Sequence, residues 1–421
     1  MKATPQGRPA GWVAVLATLD TKGEEAAWLR RSLAERGLPV RVVDVGILGE
    51  PSVPLEPDDV PRHEVARRAG LGLSEVARLR RDEAMAAMGR GAASVLAQWH
   101  REGHLLGAVG IGGNQGTAVA AMAMRELPIG TPRVLVSTVA SGNLRPYLGF
   151  ADIAVLFSVG DLLGGPNPLT RAVLARAAAM LAGMVEQGSL QPARAAGKGL
   201  VALSALGNTH PAAERIVAGL RQLGWEVVPF HASGAGGSAM EQLMRQGWFR
   251  AVVDLTPHEL VGEVFPEDIY APVVPGRLAV AGELGLPQVV APGGLDYLIF
   301  GTPDSVPPRF RDRPTHYHNP YNTNVQASPE EMALLGEEVA RRLSRARGPV
   351  AFVDPLKGWS RIGSPGGPVH NPAGLQAFRE AFWARVDRNR VRYRAVDCTI
   401  NDPEFAEAVM ETFRELVAGG G

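Results

Sequence analysis

A strand-like run, a glycine-bearing turn, an amphipathic stretch closed by glycine and a second strand-like run recur twice in this chain. In the first copy Trp12–Ala17 is short and apolar, and Thr18-Leu-Asp-Thr-Lys-Gly23 forms the turn. Residues 24–36 carry a helical pattern, Gly37 ends it, and residues 40–45 are the next strand. In the second copy residues 200–203 are the strand and Gly207-Asn-Thr-His210 the turn. Residues 211–223 are the helix, Gly224 its stop, and residues 226–230 the following strand. A β-α-β unit requires a parallel sheet and a right-handed crossover. Such a plan excludes all-helical and all-antiparallel folds.

Further strands are expected at residues 107–111, 133–137 and 153–157, and again at 251–255, 288–291 and 350–353. The expected fold is therefore α/β: two Rossmann-like lobes, each a mostly parallel sheet flanked by helices, related by internal duplication. The lobes are expected at 1–190 and 198–421, with a turn-rich linker at 187–199. A length of 421 residues fits this, at about 100–200 residues per domain.

Composition narrows the function. Lys+Arg and Asp+Glu are 43 each, so bulk charge holds this chain to neither nucleic acid nor membrane. Cys398 is the one cysteine, which excludes an intramolecular disulfide and suits a reducing cytoplasm. It is read as a buried small residue. Residues 1–11 are polar and lack the apolar core of a signal peptide, and the longest apolar stretch, 172–185, carries Arg176. A cytoplasmic location is expected.

Doubly wound sheets bind ligands at the carboxyl ends of their strands, so the loops there carry the chemistry. Gly110-Ile-Gly-Gly-Asn-Gln-Gly-Thr117 follows a strand and opens a helix expected at 118–126. Its Gly112, Gly113, Asn114, Gly116 and Thr117 present backbone N–H groups and a hydroxyl suited to a phosphate. It is not a Walker loop, because the Lys-Ser/Thr pair is missing. Ser137, Thr138, Ser141 and Gly142 end the next strand, and Thr18, Asp20, Thr21 and Lys22 sit on the first turn. Thr21 and Glu24 have capping-box spacing. Asp20 can hold Mg²⁺ through water, and Lys22 can reach a phosphate.

The second lobe has its own glycine turn, His231-Ala-Ser-Gly-Ala-Gly-Gly-Ser238, with Gly234, Gly236 and Gly237 as ligand candidates. Gly293 and Gly294 precede Asp296, and His318 and Asn319 lie in a polar loop with His316. His231, Asp254, Glu259 and Asp296 are the candidate acid–base residues.

Taken together, these loops resemble a known family. The matching segments are Ala17-Thr-Leu-Asp-Thr-Lys-Gly-Glu-Glu25, Val43-Asp-Val-Gly46, Gly112-Gly-x-x-Gly-Thr117 and Ser137-Thr-Val-Ala-Ser-Gly142. Gly236-Gly-x-Ala-Met-Glu241, Pro292-Gly-Gly-Leu-Asp296, His318-Asn-Pro320 and Ile400-Asn-Asp-Pro403 continue the match, in order, nearly end to end. The chain resembles the ATP-binding domain family named after the tomato mosaic virus resistance protein, whose bacterial members form an uncharacterised family. The resemblance implies ATP in the first lobe and a homodimer. It also implies a partner resembling a phosphoenolpyruvate-mutase-type barrel, which is fused to the module in plants.

The chain departs from that family's pattern. Asn114-Gln115 stand where Ser-Gly is expected, and Ser238 and the stretch after Pro320 lack an expected arginine each; Thr399 stands where histidine is expected. Three functions follow as expectations. One is a nucleotide-binding protein with a ligand site in the interlobe cleft. Another is an enzyme acting on a small carboxylate or phosphorylated metabolite. The third is a non-catalytic partner of a barrel protein.

Overall fold

A computed structural model describes residues 11–190 and 197–418. The first ten residues, residues 191–196 of the expected linker and the last three residues lie outside the described residues. The chain divides into two compact units, 1–191 and 192–421.

The first unit is a five-stranded parallel sheet of β1 (Trp12–Ala17), β2 (Val40–Asp44), β3 (Leu105–Gly112), β4 (Arg133–Ser137) and β5 (Ala154–Phe157), in the order β2-β1-β3-β4-β5. Strand alternation builds two cores from one sheet. On one face Val13, Val15, Val109 and Ile111 pack with Leu29 and Leu33 of helix Leu19–Glu35 and with Leu174 and Leu181 of helix Pro168–Gln187. On the other, Ala14, Leu16, Ala108 and Leu135 pack with Met88 and Leu96 of helix Arg81–Arg101 and with Val119 and Met124 of helix Asn114–Arg125. Helix Pro168–Gln187 is long and apolar enough to cross a membrane. Its buried positions, Val173, Leu174, Ala177, Ala178 and Leu181, belong to this core.

The second unit winds the same way. Its six-stranded parallel sheet comprises β6 (Leu200–Ala205), β7 (Glu226–His231), β8 (Ala251–Asp254), β9 (Gln288–Val290), β13 (Val350–Pro355) and β14 (Val391–Val396), in the order β14-β13-β9-β8-β6-β7. Between β9 and β13 the chain inserts an antiparallel sheet of β10 (Tyr297–Phe300), β11 (Thr315–Asn319) and β12 (Asn322–Gln326), in the order β10-β12-β11. Both parallel sheets place their first strand between their second and third, so the doubly wound α/β expectation holds for each. The stops at Gly37 and Gly224 sit at φ 80° and 83°, where a side chain would be strained.

The differences from expectation lie at helix starts, in the antiparallel sheet and in β14. Helix Leu19–Glu35 begins on the expected turn, with a kink at Lys22 (φ −130°, ψ 19°), so Thr21 and Glu24 lie inside it. Helix Asn114–Arg125 begins within the glycine loop. Glycine reads as a breaker locally, yet packing against the sheet overrides that weak preference. Strands β11, β12 and β14 carry too many polar residues for an apolar run to announce them.

Candidate functional site

In a 2-1-3-4-5 sheet the strand order reverses between β1 and β3, and the loops leaving those strands splay apart into a crevice. A cavity of about 710 Å³ opens there. Its polar side is the start of two helices: Thr18, Asp20, Thr21 and Lys22 after β1, and Gly113, Asn114, Gln115 and Gly116 after β3. Helix Asn114–Arg125 has Gly113 as N-cap and no side chain capping it. Its first-turn N–H groups have no acceptor within the helix and point their partial positive charge outward. Gly113 has open space around it, because an added Cβ would meet only Thr138 Oγ1, at 3.6 Å. Gly112 is packed instead: a Cβ there would lie 2.6 Å from Gly116 Cα.

The opposite side is aliphatic. Val45, Ile47 and Leu48 come from the loop after β2. Val76, Ala77 and Leu79 come from the segment before helix Arg81–Arg101, Ala84 and Met85 from that helix, and Val119 from helix Asn114–Arg125. Asp44 braces this arrangement. It is fully buried; its Oδ1 accepts from the N–H groups of Leu19 (3.1 Å) and Gly46 (2.9 Å), and its Oδ2 from Arg62 Nε (2.6 Å). Arg62 in turn donates to the Leu48 and Gly49 carbonyls at 3.0 and 2.6 Å. One carboxylate thus joins the first helix start to the loop that carries Ile47 and Leu48.

The bulk of Asn114 and Gln115 leaves the cavity open. Asn114 Oδ1 accepts from Tyr147 Oη at 2.6 Å, and Gln115, with its amide oriented to satisfy both groups, accepts from the Arg81 guanidinium. Other candidates do not face the cavity. Thr117 and Ser137 are buried, with their hydroxyls hydrogen-bonded to each other at 2.7 Å. Thr138, Ser141 and Gly142 lie outside the lining, as does Gly112. Among the described residues no group of three or more His, Cys, Asp or Glu side chains is placed to hold a metal, so Asp20 belongs to no such cluster. Arg81 and the aliphatic wall were missed by sequence reasoning, because no local motif marks them.

The second unit repeats the glycine turn but fills it. Gly234 and Gly237 donate their N–H groups to Glu259 Oε1, at 3.2 and 2.8 Å. The anion at this helix start is therefore the protein's own carboxylate. Glycine is required at 237, because a Cβ would lie 2.5 Å from both Glu259 Oε1 and Arg277 Nε; at 236 it would lie 1.9 Å from the His231 carbonyl. Arg277, fully buried, binds Asp254 through two hydrogen bonds of 2.8 Å, Glu259 at 2.9 Å and Glu241 at 3.1 Å. Burial pushes the Glu241 carboxyl up to about 7, with the Asp254 charge adding to it and Arg277 pulling the other way. Ser238 serves the fold: its hydroxyl donates to the Gly234 carbonyl (2.9 Å) and accepts from Val273 N–H (3.0 Å).

These contacts engage two of the four expected acid–base residues. Asp254 and Glu259 are saturated by Arg277 and the glycine turn. His231 ends β7 with its side chain exposed. Asp296 differs from them. It is buried, its Oδ2 accepts from Ser360 Oγ at 2.8 Å, and its Oδ1 has no hydrogen-bond donor. Burial raises its carboxyl to about 6, against that hydroxyl.

Nearby, His258 was missed by sequence reasoning. It stacks on Tyr297 with ring centroids 5.0 Å apart and bridges Asp268 Oδ2 (3.2 Å) and the Gly294 carbonyl (2.5 Å). Burial opposes charge on its ring, but the Asp268 carboxylate and the Gly294 carbonyl outweigh it and raise its pKa. Gly293 and Gly294 pack the chain here. A Cβ at 293 would lie 2.3 Å from the Leu255 carbonyl, and Gly294 has φ 73°. His318 and Asn319 are exposed on the β11–β12 hairpin, with the His316 and His318 rings 6.1 Å apart. Cys398 is buried, and burial raises its thiol to about 11, which leaves it unreactive.

Comparison with known proteins finds two family models in sequence. Residues 11–189 match the N-terminal domain of an uncharacterised protein family, UPF0261, and residues 198–417 match its C-terminal domain. A UPF0261 protein of Clostridium tetani is 36% identical over 94% of this chain and 96% of its own length. One from Brucella suis is 33% identical over 97% of this chain and 96% of its own. The tomato protein named ToMV susceptible protein tm-1 is 32% identical over 96% of this chain, which spans 56% of that plant protein.

Proposed function

The chain belongs to the uncharacterised protein family UPF0261, and we propose that its first unit binds a nucleotide, ATP, at the β1/β3 switch point. The observation that carries this reading is the two-sided cavity. Its volume, about 710 Å³, falls in the range of small-molecule sites. The uncapped start of helix Asn114–Arg125 offers N–H donors to phosphate oxygens, and Lys22 adds a cation. The aliphatic wall from Val45 to Leu48 and from Val76 to Met85 accepts a flat, weakly polar base. Asp20, in the first turn of helix Leu19–Glu35 and in the same cavity lining, would hold Mg²⁺ through water beside the phosphates.

Calorimetric titration with ATP–Mg²⁺ tests this, beside a Gly113→Asp variant. The native protein is expected to bind, and the variant to lose binding, because its carboxylate occupies the N–H groups. Absence of binding by the native protein at millimolar ATP would overturn the proposal.

A second reading, acid–base catalysis on a small carboxylate or phosphorylated metabolite, rests on Asp296. Of the sequence-predicted acids it alone is buried with an oxygen left unpaired, and its carboxyl is raised to about 6. It predicts turnover whose pH profile bends near 6 and is lost in Asp296→Asn. A panel of small 2-oxo acids and acyl phosphates left unconverted would sink it.

A further inference from the structure

Resting on the nucleotide reading of the first unit, we infer that Arg81 is a phosphate contact, so that the site selects nucleoside di- and triphosphates over monophosphates. Arg81 lines the cavity, and neither the family motifs nor the glycine turn includes it.

Among the described residues, its charge is uncompensated within the fold. Arg81 opens helix Arg81–Arg101, where the helix dipole disfavours a cation. Its neighbour Arg80 is neutralised by Asp82 at 2.6 Å and Glu83 at 3.7 Å. Arg81 has no carboxylate within ion-pair distance among the described residues, and neither does Lys22, the other cation of the lining. Asp20 is the one acid of the cavity lining among the described residues.

What holds Arg81 is the amide oxygen of Gln115. A neutral amide fixes the direction of a guanidinium without neutralising it. Gln115 belongs to the first turn of helix Asn114–Arg125, so the guanidinium is held within one side chain of the uncapped N–H groups. The departure from Ser-Gly at 114–115 thereby acquires a purpose: glycine at 115 has no amide with which to aim Arg81. Two unpaired cations and a helix N-terminus against one acid call for a ligand with more than one anionic group. A single phosphate satisfies the glycine turn and leaves Arg81 unmet. A phosphate chain reaches both.

The experiment is calorimetric titration of native, Arg81→Gln and Arg80→Gln proteins with ATP, ADP and AMP at fixed Mg²⁺, with circular dichroism confirming the fold. Arg81→Gln is expected to weaken ATP and ADP about tenfold or more and AMP less than about threefold, as for loss of one charge-assisted contact. Arg80→Gln is expected to stay within about twofold for all ligands, as a surface charge does. Native-like ATP binding by Arg81→Gln would overturn the inference while leaving the nucleotide reading intact, as would equal losses for ATP and AMP. A native protein that binds no ATP would overturn both.

Discussion

Gly113 and Glu241 show how much a single residue decides. Gly113 is the N-cap of helix Asn114–Arg125 in extended conformation (φ −78°, ψ −158°), with room for a side chain. Aspartate there is a good cap and exceeds glycine by a few tenths of a kcal/mol. Gly113→Asp is therefore expected to keep or slightly raise Tm while it abolishes ATP binding; a lowered Tm would mean the position is not open. Glu241 gives a pH prediction with a definite sign. Its folded pKa is about 7 against an ordinary 4.5, so the folded state holds the extra proton between those values. Its contribution to stability is full below about 4.5 and is lost as pH rises through about 7. Glu241→Gln, a permanent mimic of the protonated acid, should flatten the fall in stability between pH 4.5 and 7 in urea titrations. An unchanged slope would place the shared proton on another of the three carboxylates.

At the scale of elements, the same strand–glycine turn–helix unit serves opposite ends in the two units. After β3 the turn leaves its helix N–H groups open to a cavity. After β7 it delivers them to Glu259, which Arg277 clamps with Asp254 and Glu241. Removing Arg277 strands three buried carboxylates. Arg277→Leu is expected to cost the second unit about 3–5 kcal/mol in urea unfolding, the range for breaking a buried ion pair. A cost below about 1 kcal/mol would show that the carboxylates take up protons at no penalty. Sequence reasoning places the turns correctly yet cannot separate them, because both read as glycine, hydroxyl and acid. It misplaces the helix starts because Gly23 and Gly116 look like breakers, whereas packing against the sheet carries the helix through them.

For the whole molecule, the legible part was what short-range chemistry controls. Apolar runs of strand length alternate with helical periodicity, and Gly37 and Gly224 close their helices at positive φ. That combination leaves few folds besides a doubly wound sheet, and both sheets have the expected winding. The eight-residue glycine loop and the Thr18–Lys22 turn were found the same way, and both flank the cavity. Tertiary structure decided which of these features stay open. Arg81 and Gln115 are 34 positions apart, Gly234 and Glu259 are 25, and Asp254 and Arg277 are 23. Whether a helix start is neutralised depends on which carboxylate the folded chain carries to it. Coulombic and hydrogen-bond partnership of that kind is set by proximity in space, whereas propensity and periodicity act over one element at a time. The amino-acid sequence by itself therefore determined the sheets and the position of their loops. Only the packed structure decided that the first glycine turn faces a cavity with two unpaired cations and that its counterpart binds Glu259.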